Sequence, residues 1–179
     1  MKLLLGGALI LLQISLNAQQ LSIHHYEYLF NLHGQMRVIE LDFHNVVSED
    51  VLVEWKLRKE SGFYKLNLQA ARNAMGMSFQ RGETQDTVKI KADQTLYQMI
   101  SMNAYDELVK QKQFMYNKTT YVWLGEELYT VGEQSMPVIH VRAQIDDTEM
   151  WITKSPDWPV VVRMTYNPLG INYELINYH

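Results

Sequence analysis

Beyond residue 21 the chain is governed by alternation, in which apolar and polar side chains take turns and every second residue falls on one face of an extended strand. From Arg37 to Phe43, Ile39, Leu41 and Phe43 point one way while Glu40 and Asp42 point the other. Val51, Val53, Trp55 and Leu57 repeat the pattern against Glu54, Lys56 and Arg58, and Tyr64, Leu66 and Leu68 do so against Lys65, Asn67 and Gln69. Such runs are half-buried antiparallel strands with one face on a core. Further strands are predicted over 24–32, 75–79, 87–91, 120–124, 127–131, 138–143, 149–153, 160–166 and 173–178. Turn-forming groups interrupt them at Gly34-Gln35, Ser48-Glu49-Asp50, Ser61-Gly62, Arg81-Gly82, Gly132, Asp146-Asp147 and Asn167-Pro168-Leu169-Gly170. Gaps this short imply a meander of hairpins.

One segment departs from the rule. Residues 103–112 open on the capping type Asn103, carry Asp106 and Glu107 in the first turn, and end with Lys110 and Lys112, which complements a helix dipole. Tyr105, Leu108 and Val109 share one face at helical spacing, and Asp106 is expected to pair with Lys110 four residues on. No repeat, low-complexity tract or Pro/Ser-rich linker marks a second domain. The expected fold class is mainly β (α+β): a strongly curved antiparallel sheet, or partly open barrel, of about ten strands, with one short helix over its concave face or mouth. A closed barrel or a two-sheet sandwich satisfies the same alternation, because alternation sets faces and not closure.

The N-terminus adds a compartment. Lys2 precedes an apolar run from Leu3 to Leu12, and Leu16-Asn17-Ala18 offers a cleavage site before Gln19. That run is shorter than the about 20 apolar residues a bilayer requires. Residues 1–18 are therefore expected to be a signal peptide and residues 19–179 the single β-rich domain, periplasmic or secreted. No cysteine is present, so neither disulfides, nor thiolate chemistry, nor the lipid-acceptor residue of a lipoprotein is expected. No later apolar run reaches spanning length, so no integral membrane span is expected after signal removal. Removing residues 1–18 takes away Lys2 and no acid, moving the formal charge from −4 to −5. With the basic residues scattered, nothing recommends nucleic acid as a partner.

Candidate chemistry is sparse. His24 and His25, as strand neighbours, face opposite sides and cannot chelate one ion together, and Asp42 with His44 reads as a solvated pair on a polar face. The carboxylate pairs Glu126-Glu127 and Asp146-Asp147 are read as solvated acids at turns rather than as a glycosidase pair. Motifs for phosphate-cradling loops, dinucleotide binding, nucleophile elbows and zinc hydrolases are absent. No metal and no cofactor is expected, and there is no positive reason to expect an enzyme. A hydrolase acting on envelope lipid or glycan would have to draw on Asp42, His44 and His140.

Ten Met, eleven Tyr, four Trp and five Phe supply large, adaptable or amphipathic side chains suited to lining a site for a greasy ligand. On the inferred inward faces, Trp55, Tyr64, Leu66, Met77 and Phe79 are candidate lining residues in the first half. Tyr105, Leu108, Met150, Val162 and Met164 complete the set. A curved sheet must also fill its concave side with bulky residues, so the same set serves equally as core.

The ending is the most distinctive stretch: Met150-Trp151-Ile152, Pro156-Asp157-Trp158-Pro159, the run Val160 to Met164, and Asn167-Pro168-Leu169-Gly170 before a final strand. Together with Asn103 to Leu108 and Val138-Ile139-His140-Val141, it looks like a group of uncharacterised exported bacterial β-rich proteins. More remotely, the order of signal peptide, long meander and terminal hairpins resembles the periplasmic lipoprotein-carrier (LolA-like) half-barrel proteins. The resemblance implies a curved sheet, closed by helices, that shields acyl chains. It brings no binding residue with it, and this chain shows one legible helix where a carrier has more helical cover.

The leading expectation is thus an exported, non-catalytic cell-envelope protein holding an apolar or lipid-like ligand in a curved-sheet cavity. The alternative is an envelope structural or assembly module that recognises another protein through sheet edges or exposed aromatics such as Trp158 and Tyr178.

Overall fold

Period-two segments pair with their neighbours along most of the chain. The structure, a computed structural model, describes residues 24–44, 50–79 and 87–179. The signal-peptide reading of residues 1–18 and the turn signals at Ser48-Glu49 and Arg81-Gly82 lie outside the described residues. The first half contains β1 (His24–Leu32), β2 (Gln35–Phe43), β3 (Asp50–Leu57), β4 (Glu60–Asn67), α1 (Leu68–Asn73), β5 (Met77–Ser78), β6 (Thr87–Lys89) and β7 (Thr95–Leu96). The second half contains α2 (Met102–Gln111), β8 (Gln113–Tyr116), β9 (Thr119–Val131), β10 (Gln134–Ala143), β11 (Glu149–Thr153), β12 (Val161–Thr165) and β13 (Ile171–Tyr178).

The protein is mainly β, built on one eleven-stranded sheet in the order β6-β4-β3-β2-β1-β13-β12-β11-β10-β9-β8. Its ladders are antiparallel except for β4 with β6, and β5 and β7 form a separate parallel pair. The sheet does not close: β6 and β8 remain its two edges. It is nevertheless curled, because Tyr129 of β9 donates its hydroxyl to the Leu175 carbonyl of β13 at 3.4 Å although three strands lie between them. Among the described residues no helix is long and apolar enough to cross a membrane.

Several local expectations need correction. The alternation Tyr64, Leu66, Leu68 does not continue as strand past Asn67. The Asn67 side chain instead accepts from the Gln69 amide at 2.8 Å and caps α1, a second helix, whose buried Ala70 and Ala71 pack on its inner side. Ser61-Gly62 is not a turn. The chain reverses at Arg58-Lys59, where Arg58 takes a φ of 59°, and the buried Gly62 sits in β4 opposite Trp55, leaving room across the ladder for the indole. The strands expected over 120–124 and 127–131 are one strand, β9, with a bulge: Gly125 opposes His140 and Trp123 opposes Val141, so Leu124 has no partner. Helix α2 is capped by Ser101, whose hydroxyl accepts from the Ala104 amide, and Asn103 donates its side-chain amide to Asn73 of α1 at 2.7 Å. Asp106 and Lys110 do pair, at 3.2 Å. Trp158 and Tyr178 are half-buried rather than exposed, Trp158 against Phe43 and Tyr178 opposite Tyr26.

Curvature decides where the core sits. Tyr28, Phe30, Leu41, Val53, Trp55, Leu66, Val162, Met164 and Tyr173 join one cluster of buried side chains. Two devices cover it. Helix α1 leaves β4 near one edge, α2 packs on β8 at the other, and the two helices touch, so a helix pair bridges the seam that hydrogen bonds leave open. The segment from Thr95 to Ser101 is buried along its whole length. It binds the start of β12 through Val161 N–H to Gln98 O at 2.8 Å and Ile100 N–H to Pro159 O at 3.1 Å, while the Tyr173 hydroxyl donates to Tyr97 O at 2.8 Å.

A buried polar knot fastens this plug. Ser101 N–H donates to the Tyr116 hydroxyl at 3.1 Å, that hydroxyl lies 2.8 Å from Thr95 Oγ1, and Thr95 donates onward to Met99 O at 2.8 Å. Burial pushes the Tyr116 hydroxyl up to about 12, so it remains protonated across the physiological range. Every member of the chain has a partner, which is what makes a buried polar group tolerable. Tyr116→Phe leaves the Ser101 amide orphaned and is expected to cost about 1–3 kcal/mol in urea unfolding; a loss near zero would show that the knot does not hold the plug.

Candidate functional site

The β1–β2 hairpin overshoots its neighbour. The β2–β3 ladder runs only from Glu40 to Phe43, so Gln35 to Ile39 stands beyond the end of β3 at Leu57. A cavity of about 740 Å³ occupies this notch at the mouth of the curve. Ligand sites are typically about 300–1,000 Å³. Leu32, His33, Gln35, Arg37 and Ile39 of the β1–β2 hairpin form one wall; Leu57, Phe79, Pro168, Leu169 and Ile171 form the other.

The rim is built from two interlocked turns. His33 and Gly34 both take positive φ, 51° and 88°, as a two-residue type I′ connection requires, and Asn31 accepts from the Gly34 amide at 2.8 Å. His33 N–H donates to Gly170 O at 3.0 Å, joining this turn to the β12–β13 turn. There Asn167 accepts from the Leu169 amide through its side chain at 2.8 Å. Gly170 has φ of 66°, and a Cβ on it would meet His33 Nδ1 at 2.5 Å. Gly170→Ala is therefore expected to destabilise by about 1–2 kcal/mol from backbone strain alone, with a further loss from displacing His33. His33→Ala in that background should recover the steric part and not the backbone part, as measured by a double-mutant cycle in urea; full additivity of the two substitutions would contradict the close packing.

The lining divides by chemistry. Arg37, paired with Phe30 across the ladder and so on the inward face, donates to Gln35 Oε1 at 3.1 Å. Ile39, Leu57, Phe79, Leu169 and Ile171 are apolar. Inward from the mouth, a second gap shares Ile39 and Phe79 and is bordered by Phe30, Tyr64, Leu96 and Tyr97, but holds only about 10 Å³. Its walls are ring contacts: Phe79 lies 5.4 Å from Tyr97 and 6.3 Å from Phe30, and Phe30 stacks on Tyr173 at 4.9 Å. The Tyr97 hydroxyl is buried there without a hydrogen-bond partner.

Of the ten sequence-predicted lining residues, Phe79 borders the mouth and Tyr64 and Phe79 border the narrow gap. Trp55, Leu66, Met77, Tyr105, Leu108, Met150, Val162 and Met164 are buried in the core cluster. The inward faces were legible, whereas the mouth residues His33, Gln35, Arg37 and Leu57 carried no signal beyond a turn and an alternating strand. Only the offset of β2 along β3 brings them together.

The candidate catalytic residues do not converge. Asp42 lies with His25, Glu27 and Lys56 on the outer face; His44 approaches Glu54 at 3.4 Å. His140 stacks on Trp151 at 4.2 Å and contacts Glu149 at 3.1 Å, and the Trp151 indole donates to Glu127. Among the described residues no group of three or more His, Asp or Glu could hold a metal ion.

The outer network still has a pH signature. Burial opposes the charged His25 ring, but its contacts with Asp42 at 2.6 Å and Glu27 at 3.3 Å outweigh it and raise the pKa above the ordinary value. The ring also stacks on His179 at 4.6 Å. Burial likewise opposes the Asp42 carboxylate, while Lys56 at 2.8 Å and His25 hold its pKa below the usual range. Glu54 lies 3.7 Å from Lys56 on the same face. A raised histidine pKa adds stability that is complete below about 6.5 and fades as pH rises through the folded value. A lowered aspartate pKa adds stability above about 3.9 that is lost as pH falls through the folded value. His25→Gln should thus lower Tm more at about pH 5.5 than at about pH 8.5; equal losses at both would contradict the assignment.

Compared with known proteins, the chain matches no protein-family model and no curated sequence.

Proposed function

We propose that the chain is an exported, non-catalytic binding protein of a bacterial cell envelope, holding an apolar or amphipathic, lipid-like molecule in the mouth of its curved sheet. The observation that carries this reading is the cavity of about 740 Å³, with an apolar wall and, among the described residues, its polar side chains on one hairpin. An open curved sheet with helices across its seam supports the analogy with lipoprotein-carrier half-barrels, and the N-terminal apolar segment supports export. Because side chains fill the interior, the reading puts the ligand at the mouth rather than along the concave face.

An assembly role draws on a different observation: among the described residues no strand pairs with Gln35 to Ile39 on the β3 side, and Met36 and Val38 are exposed there. Native mass spectrometry of the mature protein, purified gently from an envelope-containing host and followed by solvent extraction, separates the two. The binding reading expects one acyl-bearing molecule per chain, depleted in Leu169→Glu, a change at a 62% exposed rim residue that leaves the core untouched. A clean apoprotein that ignores added fatty acids and phospholipids, yet captures an envelope protein, would support the assembly role instead.

A further inference from the structure

We infer that the molecule held in the mouth is a single-chain amphiphile with an anionic head, and that Arg37 receives that head. The inference rests on the reading of the mouth as a ligand site and specifies what the site selects.

Charge is the first argument. Lys56, Lys65, Lys110, Arg142 and Lys154 each have a carboxylate within ion-pair distance. Arg37, like Arg58, Lys59, Arg72, Lys89, Lys91, Lys112, Lys118 and Arg163, has none among the described residues, and of these it alone lines the cavity; its one side-chain hydrogen bond is to the neutral Gln35. Yet it occupies an inward position, directly across from the fully buried Phe30 and two residues from Ile39, on the same face as the apolar wall. A guanidinium offers five donors in a planar fork that matches a carboxylate or phosphate bidentately. Gln35 takes one donor and leaves the rest of the fork for a ligand.

Arrangement and size supply the second and third. His33, Gln35 and Arg37 all lie on the β1–β2 hairpin, while Leu57 and Phe79 face them from β3 and the end of β5. Among the described residues the polar donors all lie on the hairpin wall, where Leu32 and Ile39 accompany them, so a bound molecule meets its donors on that wall and hydrocarbon on the wall of Leu57 and Phe79. At about 30 Å³ per heavy group, close to the share of one water in the liquid, 740 Å³ accommodates about 25 heavy atoms. That suits one acyl chain with a compact head.

Titration of the purified mature protein with dodecanoate, 1-dodecanol and inorganic phosphate, each below its aggregation or solubility limit, tests this by calorimetry. Dodecanoate is expected to bind one per chain, with dodecanol at least about tenfold weaker, the scale of one charge-assisted hydrogen-bonded contact. Arg37→Gln should abolish that preference without changing dodecanol affinity, and Arg37→Lys should restore part of it. Arg37 is exposed and makes no ion pair among the described residues, so both variants should melt with the parent. Equal affinity for acid and alcohol, or a preference unchanged in Arg37→Gln, would overturn the anionic-head assignment while leaving the mouth a ligand site. Phosphate binding as tightly as dodecanoate would also overturn it, by showing a site for the free anion. Binding of neither dodecanoate nor dodecanol would overturn both the assignment and the ligand site beneath it.

Discussion

Curling an eleven-stranded sheet without closing it creates a concave apolar face and two unpaired edges, and neither survives in water uncovered. The chain meets both demands with the excursion between β4 and β8. Its helices meet across the seam, and its central segment, Thr95 to Ser101, is laid along the concave face. Apolar burial drives that segment inward, but its backbone amides and carbonyls come with it and must find partners. They find them on Pro159, Val161 and Tyr173, and on the Tyr116 to Thr95 to Met99 relay. The position of the candidate site depends on this fastening, because a filled interior leaves room only where the strands run out.

The mouth exists because β2 is offset along β3, Glu40 pairing with Lys56, so that the N-terminal end of β2 runs past the end of β3 at Leu57. The offset leaves a notch beside the free end of β2, and the β12–β13 turn walls it because β13 pairs directly with β1, Leu32 opposite Ile171, which sets Gly170 against His33. The same geometry faces the hairpin's polar side chains with a hydrocarbon wall, so one structural irregularity supplies volume, apolar surface and a guanidinium without an ion pair among the described residues. The resemblance to acyl-carrying half-barrels suggests the long concave face as the binding surface, whereas here that surface is occupied by the protein's own aromatic rings, with Phe30, Phe79, Tyr97 and Tyr173 in mutual contact.

Local patterning made much of the sheet readable. Ile39, Leu41 and Phe43 in β2 and Val51, Val53 and Trp55 in β3 turn inward as their alternation requires, because one face of each strand is dry. Helix α2 was legible from its charge order and its Tyr105 and Leu108 face. What escaped was non-local or too short to show a period. Helix α1 has six residues and follows β4 without a spacer, so Leu68 continues the strand pattern until Ala70 and Ala71 break it. Strand β8 begins directly after Lys112, whose left-handed φ of 60° ends α2 without a glycine to mark it. The turn at Asn117-Lys118 has positive φ at both residues and likewise no glycine. Glycine misled in the other direction at Gly62, which serves the packing of Trp55 rather than a reversal. The site escaped almost entirely: alternation sets Arg37 on the face of Ile39 and Leu41, but nothing local shows that β3 stops short of it.

The claim on which the account turns is that the Thr95 to Ser101 plug is a permanent part of the core, so that ligands are confined to the mouth. Native-state hydrogen exchange of the Ile100, Ser101 and Val161 amides tests it most directly. All three are backbone donors at the contact of the plug with its surroundings. If the plug is permanent, they exchange only through global unfolding, with an opening free energy equal to that from urea denaturation. If they exchange through a smaller, subglobal opening while the β1–β2 and β10–β11 ladders stay protected, the plug lifts out, the concave face becomes available to a ligand, and the account is wrong.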